Sequence, residues 1–143
     1  MKIVIAADHA GFELKNALAE HMRSLGHEVE DLGTDSSQSV DYPDFARAVG
    51  ERLTSGQAER GVLVCGTGLG MAMTANKMAG VRAASVSDTF SAKMCRAHND
   101  ANVLALGSRV VGLGLAKELV EAYLETDFEG ERHARRVGLI EAP

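Results

Sequence analysis

The chain has 143 residues, of which 45% are hydrophobic and 24% charged, with 15 glycines against 2 prolines; this is the size and composition of one globular domain and excludes disordered, collagen-like or low-complexity chains. A net charge of −5, with 4% aromatics and no tryptophan, excludes both a basic phosphate-neutralising surface and a base-stacking platform, so no nucleic-acid partner is expected. No apolar run is long enough to span a bilayer, MKIVIAADHAG is too short in apolar sequence for a signal peptide, and Cys65 and Cys95 form no CxxC and no metal-ligand spacing, so the chain reads as cytoplasmic, reduced and free of membrane contacts.

Short apolar runs alternate with helical patterns. KIVIAA (2–7) is apolar on both faces, as in a strand buried in a parallel sheet. Gly11 to Leu25 predicts a helix, with Phe12, Leu14, Leu18, Met22 and Leu25 on its apolar face and Gly26 as the stop. HEVEDLG (27–33) alternates polar and apolar residues like a more exposed edge strand, and TDSSQSVD (34–41) is a polar loop. Pro43 stands near the start of a helix from Tyr42 to Leu53, where its missing N–H does little harm. GVLVC (61–65) is a second fully buried strand and runs through GTGLG into a helix ending at Lys77. VRAASV (81–86) is a strand, Asp88–Ala97 a helix, Asn102–Leu106 the fifth strand, Val111–Leu124 a helix and Glu131–Ile140 the last helix. Strands spaced by helices of about 10–15 residues specify right-handed βαβ units and a three-layer α/β/α sandwich.

In an open parallel sheet, ligands bind beyond the carboxyl ends of the strands. Asp8-His9 follows the first strand, Cys65-Gly-Thr-Gly-Leu-Gly70 the third, and Gly107-Ser-Arg109 the fifth. The glycines at 66, 68 and 70 give G-x-G-x-G, not the dinucleotide G-x-G-x-x-G, and no Lys-Ser/Thr pair completes a P-loop. A phosphatase loop would need arginine where Met71 stands, and a phospho-receiver domain an aspartate where Cys65 sits.

What remains is a thiol before a glycine-rich turn, whose backbone N–H groups can hold an anion and favour thiolate over thiol. Spacing alone leaves Cys65 open as either a nucleophile or base beside an oxyanion nest, or a small core residue. His9, beside Asp8 at a strand end, is the histidine best placed for proton transfer. His98-Asn99-Asp100 reads as a polar turn between helix and strand. His21 and His27 read as surface residues, and Cys95 as packing. Arg132 and Arg136 share a helix face in a spacing that suits a phosphate, although Glu129 and Glu131 beside them equally allow a solvated, salt-bridged face. Arg109 is a further anion-binding candidate.

Six segments, AADHAGFELK (6–15), DYPDFA (41–46), CGTGLG (65–70), ANKMAGVRA (75–83), HNDANVLALGSRVVG (98–112) and GERHARRV (130–137), together resemble the type B ribose-5-phosphate isomerases. That family also contains the galactose-6-phosphate and allose-6-phosphate isomerases, and the likeness covers nearly the whole chain. It implies a single sugar-phosphate isomerase domain over residues 1–143, built as a five-stranded parallel Rossmann-like sandwich in strand order 2-1-3-5-4. It implies reversible conversion of D-ribose 5-phosphate to D-ribulose 5-phosphate through an enediolate, with no metal and no other cofactor.

Carried onto this chain, the resemblance makes Cys65 the base that moves a proton between C1 and C2. Gly66, Thr67, Gly68, Leu69 and Gly70 stabilise the enediolate, and His98, helped by Asp8, opens the furanose ring. His9, Arg132 and Arg136 hold the phosphate with Arg109 contributing, and Asn99 binds sugar hydroxyls. A homodimer or homotetramer is implied, with each active site completed by a second subunit. One branch of the family carries a glutamate base just after the glycine loop; Met71 stands there in this chain and cannot take a proton. Six-carbon sugar phosphates are the alternative substrates. A non-catalytic phosphosugar-binding regulator is the alternative of another class, against which Cys65, Thr67 and His98 speak.

Overall fold

The computed structural model describes residues 1–143. Five strands, β1 (Lys2–Ala7), β2 (Glu28–Asp31), β3 (Arg60–Cys65), β4 (Ala83–Ser85) and β5 (Val103–Gly107), form one sheet. All pairings are parallel, in the order β2-β1-β3-β5-β4 that the family likeness implies. The helices are α1 (Phe12–Ser24), α2 (Tyr42–Thr54), α3 (Leu69–Ala75), α4 (Thr89–Ala97), α5 (Leu113–Glu125) and α6 (Arg132–Glu141).

The two faces of the sheet follow from the period-2 alternation of the strands. Ile3, Ile5, Val62, Val64, Leu104 and Leu106 point into a core shared with Leu18, Met22, Leu119 and Tyr123 of α1 and α5. Val4, Ala6, Leu63, Val103 and Ala105 point the other way, onto Val49 of α2 and Met71 and Ala72 of α3. Each fully buried Leu, Ile or Val contributes about 1.5–3 kcal/mol, which is why β1 and β3 carry no polar residue inside the sheet after Lys2 and Arg60, and β5 none at all. Edge strand β2 is more exposed, and Asp31 at its end pairs with the buried Lys15 of α1 at 2.5 Å.

Several boundaries differ from the sequence reading. Helix α3 stops at Ala75, two residues short, because the Asn76 side chain bonds both the N–H and the carbonyl of Ala83 at the start of β4. Strand β4 has three residues, since the Arg82 N–H is taken by the Asn102 side chain and Val81 packs into the core. Helix α5 begins at Leu113, because the N–H groups of Val110 and Val111 first close a turn onto Gly107. His21 is not a plain surface residue: its Nε2 lies 2.7 Å from Glu121 and ties α1 to α5.

The turn after α4 is clamped by two guanidinium groups. Arg82 donates to the carbonyls of Asn99 and Asp100, while the buried Arg96 reaches Asp100 Oδ1 at 2.8 Å and the Ala101 carbonyl at 2.7 Å. Asp100 itself has φ +47, a left-handed geometry that aspartate tolerates better than most residues. Arg96→Ala is therefore expected to lower the unfolding free energy by about 1.5–3 kcal/mol, the scale of hydrogen bonds to a charged group. The urea midpoint should fall with the slope unchanged; a midpoint equal to that of the parent would remove Arg96 from the clamp.

Candidate active site

The strand order reverses between β1 and β3, and the helices that follow these strands leave to opposite faces. This opens a crevice at the carboxyl edge. Three loops line it and are tied together. The Asp8 N–H donates to the Val64 carbonyl, Ser108 Oγ donates to the Ala10 carbonyl, and the Ser108 and Arg109 N–H groups donate to the carbonyls of Cys65 and Gly66. Close approach demands glycine at two places. A Cβ on Gly11 would sit 2.4 Å from the Val64 carbonyl oxygen, and one on Gly107 2.7 Å from the Thr67 backbone.

Cys65 ends β3 with 5% of its surface exposed, and its Sγ accepts the Gly68 N–H at 3.1 Å. Gly68 has φ +78, which turns the chain so that its amide faces back toward the thiol. Thr67 and Leu69 are exposed, and Thr67 Oγ1 accepts the Leu69 N–H at 3.3 Å. The Arg109 side chain lies across Gly66, where a Cβ would be 3.4 Å from a guanidinium nitrogen. Met71 is fully buried in the core beside Cys65. The other thiol, Cys95, belongs to α4 and the core beneath it, and burial pushes its pKa up to about 11.

Asp8 Oδ1 accepts the N–H groups of Ala10 and Gly11, holding the β1–α1 turn. His9 Nδ1 accepts the Val40 N–H at 3.2 Å, which puts the proton of a neutral ring on Nε2 and makes that atom a donor. Tyr42, read from sequence only as the first residue of a helix, seats its ring against Gly70, where a Cβ would be 2.7 Å from the ring. Its one signal was an aromatic residue at the end of the polar loop.

The remaining candidates are elsewhere. His98 caps the carboxyl end of α4, so it and Asn99 lie at the amino edge of the sheet, where the Gly61 N–H bonds the Asn102 carbonyl. Cys65 pairs with Gly107 at the opposite edge, four residues along from Val103; at about 3.3 Å per residue the two edges are ~13 Å apart. Arg132 and Arg136 go with His98, because His133 between them stacks on it at 4.3 Å between ring centroids. The candidate residues thus fall into two groups. One has Asp8, His9, the Cys65–Gly70 loop and Arg109; the other has His98, Asn99, Arg132 and Arg136. None of the ion pairs within the chain uses Arg109, Arg132 or Arg136, a freedom they share with Arg23, Arg60 and Arg135.

Fold and loops together define a Rossmann-like α/β protein with a thiol and a glycine nest at its switch point, and no dinucleotide fingerprint. The family model described as Ribose/Galactose Isomerase matches residues 3–140, and the chain belongs to that family. Ribose-5-phosphate isomerase B of Escherichia coli is 49% identical over 141 residues, covering 99% of this chain and 95% of that one. The solved ribose-5-phosphate isomerase B of Clostridium thermocellum superposes with a TM-score of 0.98 at 51% identity, over 99% of this chain and 95% of that one. The enzyme of the same name from Mycoplasma genitalium, solved with bound ribulose 5-phosphate, gives 0.94 at 41% identity over 98% and 93%. This chain is an enzyme of that kind, a sugar-phosphate isomerase. No helix is long and apolar enough to cross a membrane.

Proposed function

We propose that the enzyme interconverts D-ribose 5-phosphate and D-ribulose 5-phosphate in a site assembled from the two half-sites of neighbouring subunits. The observation that carries the reading is the Cys65 thiol at the glycine nest, a base set beside fixed N–H donors at the end of β3. The relatives named for this reaction, and the one solved with ribulose 5-phosphate, support the substrate.

The partner's His98, as imidazolium, first protonates the ring oxygen of the furanose while Asp8, through the oxygen not engaged by its own turn, takes the proton of the anomeric hydroxyl, which frees the C1 carbonyl. Cys65 as thiolate then takes the C2 proton, and the negative charge that develops on O1 falls among the backbone N–H groups of Gly66–Gly70 and the Thr67 hydroxyl. Return of the proton to C1 and movement of the hydroxyl proton from O2 to O1 give the ketose. His9 and Arg109 from one subunit, with Arg132 and Arg136 from the other, hold the phosphate. Asn99 holds a sugar hydroxyl. The phosphate supplies binding energy remote from the reacting carbons, which positions C1 and C2 against the thiol.

A two-fold dimer pairs each half-site with its complement and makes two equivalent sites. Leu69, Met73, Phe90 and Val110, all around the Cys65 edge, are exposed apolar side chains that a second copy would cover. Purified enzyme in EDTA should act on ribose 5-phosphate with kcat/KM about tenfold or more above allose 6-phosphate or galactose 6-phosphate, the discrimination one extra carbon commonly allows. A six-carbon phosphate turned over faster would replace the substrate, and no turnover of any of the three would return the chain to a binding role.

A further inference from the structure

The segment between α5 and α6 contains a pairing that the mechanism above does not use. The Glu129 N–H donates to the carbonyl of Ala97, the last residue of α4, at 3.0 Å, so this strap is fastened beside His98. Gly130 and Glu131 both have positive φ, +69 and +50, and turn the chain abruptly into α6. The turn brings His133, 6% exposed, onto the face of His98, with ring centroids 4.3 Å apart and planes within 6°. Glu129 Oε2 lies 3.9 Å from His98 Nε2 and 3.4 Å from His133 Nε2. His133 Nε2 is buried without a hydrogen-bond partner. Burial, followed by His98 and the flanking Arg132 and Arg136, lowers the His133 pKa from the usual histidine value against the opposing pull of Glu129.

Alone at a helix end and half-exposed, His98 would rotate freely. Here one face rests on a buried ring and one edge looks toward a carboxylate. Resting on the reading of the reaction given above, we propose that Glu129 and His133 are positioning residues for His98. The stacked His133 sets the plane of the imidazole. The Glu129 carboxylate accepts a hydrogen bond from Nε2–H and stabilises the charged ring, whose Nδ1–H then gives its proton to the furanose oxygen. Closing 3.9 Å to a hydrogen bond takes about 1 Å of movement by the half-exposed Glu129 side chain, and such contacts commonly tighten only when substrate binds. The carboxylate then has the part it has in other carboxylate–histidine pairs, fixing the tautomer and stabilising the charged ring. The same nitrogen, nitrogen and oxygen set does not point to a metal. Each imidazole lone pair lies in its own ring plane, and two nearly parallel planes do not meet at one ion.

The test separates ring opening from proton transfer between carbons. Ribulose 5-phosphate has no free hydroxyl at C5 and stays open-chain, so deuterium entry at its C1 in D2O reports the Cys65 step alone. Glu129→Gln should lower kcat/KM for ribose 5-phosphate by about tenfold or more while C1 exchange stays within about twofold of wild type. His133→Phe, which keeps a flat ring under His98, should retain most activity, and His133→Ala should show the same split as Glu129→Gln. Glu129→Gln unchanged in both readouts, or lowered equally in both, overturns the positioning role alone. A wild-type enzyme that neither isomerises ribose 5-phosphate nor exchanges the C1 hydrogen overturns the reading of the reaction instead.

Discussion

Cys65→Ala is expected to lower kcat for ribose 5-phosphate by about 10²–10⁴-fold, the usual contribution of a positioned general base. The loss should appear in kcat with little change in phosphate affinity, because the thiol touches the reacting carbons and the arginines do not depend on it. Folding should survive. The Sγ accepts one backbone N–H, from Gly68, and its loss costs about 1 kcal/mol. Iodoacetamide should inactivate the wild type by alkylating Cys65, with ribose 5-phosphate protecting. Cys95 should remain unmodified, since burial raises its pKa to about 11 and leaves almost no thiolate at neutral pH. Near-normal kcat in Cys65→Ala would remove the thiol from the reaction and leave the nest without its base.

Some of this architecture is legible in the sequence and some is not, for physical reasons. Strands β1, β3 and β5 announce themselves because both of their faces are buried, so every position past Lys2 and Arg60 is apolar. Strand β4 is readable as a strand but not in its length, which is set by Asn76 and Asn102, side chains that compete for the backbone of residues 82 and 83. The Cys65 half-site is readable because its parts follow strands, and the carboxyl edge of a parallel sheet is where ligands bind.

The other half-site is harder to read. His98 and His133 are far apart in the chain, and only the positive-φ turn at Gly130 and Glu131 brings their rings together. No periodicity encodes that contact, so Arg132 and Arg136 read equally well as a solvated face. The separation of the halves was nevertheless implicit. A residue that ends a helix before a strand must lie at the opposite edge from one that ends a strand.

The second large effect concerns that separation. Cys65→Ala and His98→Ala proteins should each be nearly inactive, since every site in each contains one lesion. When the two exchange subunits, a mixed dimer has one site with both lesions and one with an intact Cys65 and an intact His98. Random pairing makes about half of the dimers mixed, so about a quarter of all sites should recover. The ~13 Å of sheet between the two edges sets Cys65 and His98 of one chain at opposite ends of the strands, which is the geometry that motivates the exchange.

The decisive measurement is therefore the ribose 5-phosphate turnover of the mixed proteins, with subunit exchange verified by mass spectrometry of differently tagged chains. Recovery of about a quarter of wild-type activity is the result expected for a site built from two copies. Verified exchange with no recovered activity would place Cys65 and His98 in the same subunit's site and contradict the assembly on which the proposed mechanism stands.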